Sequence, residues 1–332
     1  VTLAFLVAAI GCGLAAICYA ELASLIPVAG SAYSYTYATL GEGIAWFVGW
    51  NLALEYLMSA ATVAVGWSGY VVNLLEEFGV RLPAALTNAP VGKTAAHELA
   101  ATGAIVNLPA VLIVVALTWL CYMGIRQSAA LNNLMVVIKV AIIVLFIVAG
   151  IAFIDTAHWK PYLPAASGEF GHFGWTGVMQ GAAIIFFAYI GFDTAATTAQ
   201  EARNPQRDVP AGIIAALVIS TILYVAMAAV MTGMVDYTKL DVAAPVAVAL
   251  DEHPGLRWLG LPVKIGAIIG MTSVILMSIL GQPRIFMAMA RDGLLPPQLE
   301  KVHPKYHTPS IATIITGVIA AFFAGVFPID VL

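Results

Sequence analysis

An all-α membrane protein is the fold class that the sequence predicts, and two observations support it. Of its 332 residues, 61% are hydrophobic and only 10% are charged, whereas soluble domains average about 25% charged residues. Apolar stretches of about 20 residues, the length that lets a helix cross the hydrocarbon core of a bilayer, recur along the chain. We therefore expect one transmembrane domain over residues 1–332 and a multi-pass protein of the cell membrane.

Hydropathy divides the chain into about eight predicted spans. Their approximate bounds are 3–20, 43–73, 107–124, 131–154, 176–202, 211–235, 259–288 and 309–327, and the fifth is expected to be broken near 190–193. Residues 76–106 and 155–175 are predicted to be aqueous loops, and 125–128 a short turn. A tyrosine-rich stretch at 33–37 is predicted to be an interfacial connector, where the polar tip of tyrosine meets water.

Charged residues indicate the orientation of the chain rather than a partner. The net charge is −4 and the basic residues form no patch, so nucleic acid is not an expected partner. The short links are richer in basic residues than the longer loops, which places the short links in the cytoplasm. These basic residues are Arg126, Arg203, Arg207, Arg291, Lys301 and Lys305. Arg284 and Arg291 are expected to anchor the end of their span at the interface.

The positions of the cysteines indicate a role in apolar packing rather than in disulfides or metal binding. Cys12, Cys18 and Cys121 lie in apolar segments without the spacing of a disulfide or of a metal site. We therefore expect them to be small, buried hydrophobic side chains.

The stretch from Gly177 to Pro210 carries the strongest functional signal. It begins as a membrane span, and between Tyr189 and Asp193 it combines a glycine with a carboxylate in apolar surroundings. Unpaired backbone groups inside a bilayer are costly, so non-helical backbone at that depth occurs where it lines a cavity or is buried in protein. A glycine-interrupted span with an ionisable residue indicates a transport site. We expect residues 186–193 to form a broken helix beside a substrate cavity.

Three ionisable residues lie well inside predicted spans: Glu55, Lys139 and Asp193. A charge that faces lipid at mid-bilayer costs at least about 2.5 kcal/mol, so each is expected to face protein or water, to pair, or to be neutral. Lys139 lies among aliphatic residues, where desolvation favours the neutral amine. A lysine that changes its charge can couple a proton to substrate movement. The alternative is an amine that snorkels to the interface.

Further alternatives stay open at this stage. Glu55 relays protons or pairs with Lys139, or it is a neutral carboxyl that hydrogen-bonds to nearby backbone. Asp193 titrates, or it only caps the second half of the broken helix. The aromatic side chains at 186, 187, 189 and 192 pack in the core or close over a bound molecule. Carbonyls that the break exposes at 187, 188 and 190 are expected to accept hydrogen bonds from an ammonium group.

Several motifs follow one another along the chain. They are YAELASLIPVAGSAY at 19–33, GW at 49–50 with LEY at 54–56, FFAYIGFD at 186–193, EARNPQRDVP at 201–210, and GQPRIF at 281–286 with ARDG at 290–293. Together they resemble the amino acid permeases of the amino acid–polyamine–organocation superfamily. The resemblance is to the cationic amino acid transporter family in its bacterial form, and it covers essentially the whole chain.

The resemblance implies a LeuT-like five-plus-five inverted-repeat transporter fold, in which the first and sixth helices are unwound at mid-membrane. The present spans correspond to family helices 2–9. The glycine-rich break of helix 1, which holds the substrate carboxylate, and the helices from 10 onward are missing from the sequence. We therefore expect an incomplete fold, a fragment cut at both ends.

The resemblance also implies the roles of particular residues. Main-chain groups of the sixth helix hold the substrate ammonium group, and an aromatic side chain, Phe192, closes over it. The implied substrate-binding residues are Phe187, Ala188, Ile190, Gly191, Phe192 and Asp193. A fifth-helix lysine, here Lys139, stands where sodium-coupled relatives bind sodium, and a third-helix glutamate, here Glu55, takes part in proton passage.

The predicted function is secondary active transport of amino acids, with the proton as coupling ion and with no cofactor or metal. The expected partners are the amino acid substrate and the lipid bilayer. An exchanger and a nutrient sensor that does not transport are the alternatives on the same scaffold. An enzyme is not expected, because an intramembrane aspartyl protease needs two facing carboxylates and no HExxH or GxSxG pattern occurs. A channel is disfavoured because no filter sequence is visible.

Overall fold

The computed structural model describes residues 1–26, 28, 30–93, 99–165, 171, 173–191, 194–197, 202–240, 245–329 and 331–332. Helices contain 77% of the residues and strands 2%, so the predicted all-α fold is confirmed. The α-helices within these ranges are α1 (Thr2–Leu25), α2 (Ala32–Leu40), α3 (Glu42–Glu77), α4 (Leu108–Met123), α5 (Ile125–Ile151), α6 (Gly174–Ile185), α7 (Thr194–Thr197), α8 (Pro205–Met234), α9 (Pro245–Asp251), α10 (Gly260–Arg291) and α11 (Ser310–Val326).

Six stretches of the described chain are long and apolar enough to cross a membrane. They are Thr2–Leu25, Glu42–Glu77, Ala130–Ile151, Gly174–Thr197, Pro205–Met234 and Pro254–Arg291. The helices α4 and α11 are apolar but have only 16 and 17 residues, fewer than the roughly 20 that spanning usually takes.

Two connections differ from the sequence predictions. Residues 125–128 are the first turn of α5 and not a separate turn; Gly124 alone divides α4 from α5, with φ 149°, a conformation that glycine adopts without steric cost. The predicted loop at 76–106 contains a 3₁₀ turn at Ala84–Leu86 and two antiparallel strands, β1 (Val91–Lys93) and β2 (Leu99–Ala101). Val91 pairs with Ala101 in their register.

The chain forms two compact units. Unit 1 comprises Val1–Pro27 and Val140–Val263, and unit 2 comprises Val28–Lys139 and Lys264–Leu332. The helices α5 and α10 contribute residues to both units.

In unit 1, α1 packs against α6 and α8. The buried face of α1 carries small residues spaced by about one helical turn, and small side chains let helix backbones approach closely. These residues are Ala4, Ala8, Cys12, Ala16, Ala20 and Ala23. A second apolar cluster in this unit surrounds Phe146, Met234 and Leu259. Cys12 is buried as expected, whereas Cys18 lies on the exposed face of α1.

In unit 2, α11 packs against α3 and α4. The core between these helices and α10 includes Ala60, Val114, Leu276, Ile279 and Ala320, all of which are almost completely buried.

The short helix α2 also belongs to the core of unit 2. Tyr33 is fully buried, packs with Ile285 and Met289, and donates its hydroxyl to Asp292 Oδ2 at 2.7 Å. Burial, followed by the hydrogen bond to the Asp292 carboxylate, raises the pKa of Tyr33, so the phenol remains a donor. The predicted interfacial connector is therefore wrong for Tyr33, because its hydroxyl finds a protein acceptor rather than water.

Gly317 allows α11 to approach α4 closely, and this contact yields a prediction. A Cβ atom at Gly317 would lie 2.2 Å from Thr118 Oγ1 and 2.8 Å from Thr118 Cβ. Thr118 cannot yield easily, because its hydroxyl donates to the Val114 carbonyl at 2.7 Å. We expect Gly317→Ala to destabilise the protein by about 1–3 kcal/mol, measured as a lower midpoint of thermal unfolding in detergent.

The matched control is Gly66→Ala in the same unit. A Cβ atom there would meet only Met271 Sδ at 3.6 Å, an ordinary contact. Equal unfolding midpoints for the two variants would contradict the prediction.

Candidate functional site

The main chain leaves the α-helical conformation in the middle of an apolar stretch. α6 ends at Ile185, a 3₁₀ turn follows at Phe186–Tyr189, and Ile190 is extended with φ −58° and ψ 136°. Gly191 has φ 116°, which residues with a side chain rarely adopt. The helix resumes as α7. Phe192 and Asp193, to which sequence analysis assigned roles, lie outside the described residues.

Two of the carbonyls predicted to be exposed have partners in this structure. The Phe187 carbonyl accepts from the Ile190 amide at 3.2 Å, and the Ala188 carbonyl accepts from the Tyr224 hydroxyl at 2.9 Å. The prediction therefore needs correction, since a side chain of α8 holds the Ala188 carbonyl. The Gly191 carbonyl accepts from the Thr194 amide at 3.1 Å.

Aromatic side chains at the interruption divide into a buried and an exposed set. Tyr189 is 5% exposed, donates its hydroxyl to the Phe5 carbonyl at 3.2 Å, and meets Tyr224 edge-on with ring centroids 5.3 Å apart. Phe186 and Phe187 are exposed. Tyr189 therefore fastens the 3₁₀ turn to α1, which is the core-packing alternative, while Phe187 remains accessible.

Sequence analysis missed Tyr224. A signal was present, because a tyrosine in the middle of an apolar span must place its hydroxyl on a protein acceptor. The sequence does not identify that acceptor, which lies on a different helix.

Tyr224→Phe tests the contact to the Ala188 carbonyl. Loss of the hydroxyl removes one hydrogen bond in an apolar setting, and we expect a loss of about 1 kcal/mol in unfolding free energy. If a substrate ammonium group competes with the phenol for this carbonyl, the half-saturation concentration for substrate should also fall. Thermal unfolding and uptake kinetics measure the two effects. Tyr306→Phe, a tyrosine of unit 2 in the segment that precedes α11, serves as control, and identical kinetics in both variants would argue against competition.

A cavity of about 300 Å³ reaches the interruption from one side. The α6 face that lines it carries Gly174, Gly177, Val178, Gly181 and Ile185, and Ile185 immediately precedes the 3₁₀ turn. The polar groups around it come from α1, connecting segments and α8, and include Thr2, His158, Tyr162, Thr232 and Tyr237. The cavity does not enclose 187–191, so it is an approach to the interruption rather than a pocket around it.

Lys139 is hydrogen-bonded inside unit 2. Its Nζ donates to Ser273 Oγ of α10 at 2.9 Å, and that hydroxyl donates to the Gly270 carbonyl at 2.7 Å. Ser273 is 2% exposed. This arrangement does not fit the snorkelling alternative, because the amine binds a buried hydroxyl. Sequence analysis did not find Ser273.

Glu55 lies on α3 and is partly buried. Ser59 and Ser278 face each other, with hydroxyl oxygens 3.5 Å apart, and Glu55 lies one turn before Ser59 on α3. Because the helices run antiparallel, Glu55 lies at the level of α10 one turn after Ser278. That level is about 13 Å along the helix axis from Ser273. The direct pairing of Glu55 with Lys139 therefore receives no support.

Arg284 differs from its predicted role as an interfacial anchor. Its side chain is 4% exposed and its Nη1 donates to the Leu280 carbonyl at 2.8 Å. Arg291 is exposed, with its Nε 3.8 Å from Glu300 Oε1. Only Arg291 has the exposure that an anchor needs.

Comparison with known proteins identifies the class to which this arrangement belongs. The amino acid permease family matches residues 1–330. The branched-chain amino acid permease BcaP of Bacillus subtilis (strain 168) is 43% identical over 332 residues, 100% of this chain and 68% of that protein. The methylthioribose transporter of the same strain is 45% identical over 323 residues, 97% and 66% of the two chains. Cationic amino acid transporter 3, mitochondrial, of Arabidopsis thaliana is 40% identical over 325 residues, 97% and 51%.

The protein is thus a multi-pass membrane protein of the transporter class and not an enzyme. The chain belongs to the amino acid permease family of the amino acid–polyamine–organocation superfamily. It spans about half to two thirds of the length of these relatives. The predicted family and the predicted location in the cell membrane are confirmed.

Proposed function

We propose that the full-length protein carries amino acids across the cell membrane by proton-coupled symport. The observation that supports this most directly is the hydrogen bond between Tyr224 and the Ala188 carbonyl. Where the helix is interrupted, a side chain and not the helix itself satisfies this main-chain acceptor. A phenol hydroxyl can rotate away, so an ammonium group can take its place without rebuilding the backbone. In this proposal Phe187, Ala188, Ile190 and Gly191 contact the substrate, as do Phe192 and Asp193.

The substrate proposed is an amino acid with a neutral, apolar side chain. The residues from Ala182 to Gly191 carry no charge, so Asp193 is the single carboxylate among the proposed substrate contacts and the others offer apolar groups. A relative named as a branched-chain amino acid permease aligns with the whole chain, which favours the same choice. The approach cavity is also lined mainly by apolar groups and glycines.

Proton coupling is proposed to run through Lys139 and Glu55. The Lys139 amine donates to the hydroxyl of Ser273 of α10, which is buried. Gain or loss of its proton therefore changes a charge that water screens poorly. If the two charge states of Lys139 favour different conformations, binding of a proton to the amine shifts the conformational equilibrium.

Reconstitution of the full-length protein in proteoliposomes tests the proposal. Uptake and counterflow of labelled leucine are measured with and without an inward proton gradient, with isoleucine, valine, arginine, lysine and methylthioribose as competitors. We expect the gradient to drive uptake and only the neutral amino acids to compete. Counterflow without any effect of the gradient would show an exchanger, and binding without flux would show a sensor.

A further inference from the structure

One turn of α10 receives hydrogen bonds from two other helices within unit 2. Trp67 Nε1 of α3 donates to Thr272 Oγ1 at 2.9 Å, and Lys139 Nζ of α5 donates to Ser273 Oγ at 2.9 Å. Hydrogen bonds of this kind hold helices together inside a membrane, where water does not compete for the donors. Because Thr272 and Ser273 are consecutive, the proposed coupling amine and the indole of α3 meet α10 at the same level.

The protons of both hydroxyls point back to the main chain of α10. Thr272 donates to the Ile268 carbonyl and Ser273 to the Gly270 carbonyl, each at 2.7 Å, as hydroxyls in helices commonly do. A hydroxyl has one proton and two lone pairs, so each oxygen can only accept from a neighbouring helix. The places of these two oxygens on α10 therefore decide whether the indole and the amine find their acceptors.

The two oxygens move together when α10 moves. Successive residues of an α-helix are about 100° apart around its axis, so Thr272 and Ser273 leave α10 in different directions at one level. A rotation of α10 that withdraws Thr272 from Trp67 also withdraws Ser273 from the place where Lys139 now meets it. One turn of helix thus couples the contact with α3 to the contact with α5.

Trp67 is a firmly held donor. Its indole is partly buried, packs against the apolar core of unit 2, and rotates about only two torsions. The next residue, Ser68, is buried and donates to Asn107 Oδ1 at the start of α4 at 2.6 Å. A Cβ atom at Gly66 would lie 3.6 Å from Met271 Sδ, so α3 lies directly against α10 here. Both neighbours of Trp67 therefore help to fix α3 at this level.

Lys139, by contrast, reaches α10 through a flexible side chain. Its amine ends a four-carbon stem with free torsions, and that stem passes Gly270, where a Cβ atom would lie 3.9 Å from Lys139 Cδ. Such a side chain follows its acceptor and does not set the rotation of a helix. The bond from Trp67 to the residue next to Ser273 is directional and can do so.

We propose that Trp67 is a positioning residue for Lys139: its hydrogen bond to Thr272 holds α10 at the rotation that presents the Ser273 hydroxyl to the Lys139 amine. Trp67 acts through α10 and needs no contact with the amine itself. When α10 turns away from α3, the amine loses its acceptor.

Thr272→Val and Thr272→Ser in the full-length protein separate the hydroxyl from the volume of the side chain. Valine has nearly the shape of threonine without the acceptor oxygen, and serine keeps the oxygen without the methyl group. NMR spectra of protein isotopically labelled at lysine Cε observe the surroundings of the amine, and Lys139→Met identifies the Lys139 signal. We expect Thr272→Val and Trp67→Phe to move this signal most of the way to its position in Ser273→Ala, and Thr272→Ser to leave it in place.

Three results would overturn the proposal. The first is a Lys139 signal that moves in Ser273→Ala but stays in Thr272→Val. The second is a signal that Ser273→Ala does not move. The third is an equal displacement in Thr272→Val and Thr272→Ser, because side-chain volume and not the hydrogen bond would then set the position of the amine.

Trp46→Phe is the matched control for Trp67→Phe. Trp46 lies on the same helix and is 48% exposed, so loss of its indole should leave the Lys139 signal unchanged. A displacement as large as that in Trp67→Phe would show a general effect of removing an indole from α3, and it would reject the specific role of Trp67.

The consequence of this role for transport rests on the proposed function, and the two can fail separately. If Lys139 couples the proton, Trp67→Phe and Thr272→Val should lower gradient-driven uptake of leucine about fivefold, as expected for the loss of one hydrogen bond, and should retain leucine counterflow. A loss of folded protein would instead lower both rates alike. If uptake by the unmodified protein ignores the gradient, proton symport is wrong, and the NMR comparison still decides the role of Trp67.

Discussion

Lys139→Ala in the full-length protein should abolish uptake driven by a pH gradient while substrate still binds. The amine is the group that changes charge in the proposed coupling, and it is held in place by Ser273 of α10. With alanine, no charge alternates at this position, so the gradient has nothing to act on there. We expect gradient-driven uptake to fall by at least about tenfold. Initial rates in proteoliposomes measure the effect, and equilibrium binding of labelled substrate measures what remains.

A second lysine of unit 2 provides the control. Lys264 Nζ donates to Asn73 Oδ1 at 2.8 Å and pairs with Glu77 near the end of α3. Partly exposed pairs of this kind contribute at most about 1 kcal/mol, so Lys264→Ala should keep its gradient dependence. If Lys139→Ala retains the gradient dependence of the unmodified protein, Lys139 is not the coupling group.

Gly191→Ala should impair transport strongly through the backbone alone. Gly191 has φ 116°, and a Cβ atom built there meets nothing within 4 Å. The substitution thus causes no clash, but it forces an L-residue into a conformation that costs on the order of 1–3 kcal/mol. Because this glycine forms the interruption next to the Ala188 carbonyl, relief of the strain should misplace that carbonyl. We expect the rate of leucine counterflow to fall by about tenfold or more.

Gly212→Ala is the matched control for this substitution. Gly212 lies within α8 of the same unit, and a Cβ atom there also meets nothing within 4 Å. Alanine favours a helix by up to about 1 kcal/mol relative to glycine, so this variant should be as stable as the unmodified protein or more so. Equal counterflow rates in the two variants would show that the positive φ at 191 is not needed for transport.

The features that the sequence predicted well are those with local causes. Long apolar stretches predict an all-α membrane protein because the cost of burying polar groups in lipid is paid residue by residue. The glycine at 191 is a signal of the same kind, since it marks a backbone conformation within its own segment. Motifs spread along the chain led to the correct family for the same reason.

The features that the sequence did not predict depend on partners distant in the chain. Tyr224 reaches the Ala188 carbonyl, and Ser273 reaches Lys139, across helices whose packing no local pattern records. Arg284 was expected to be an interfacial anchor, but it is buried, and its Nη1 donates to the Leu280 carbonyl. Tyr33 was predicted to be interfacial because the sequence does not show that its hydroxyl donates to Asp292, which is far away along the chain.

The line of alanines and one cysteine along α1 has a consequence for how this helix tolerates change. Where two helices touch through such short side chains, main chain lies almost against main chain, and few rotamers are frozen on assembly. The contact should therefore tolerate changes in side-chain polarity but not an increase in side-chain volume. Serine, glycine or cysteine can replace alanine at Ala8 or Ala16, whereas a leucine at either would wedge α1 away from its neighbours. Side-chain volume, more than hydrophobicity, should thus decide which substitutions the buried face of α1 tolerates.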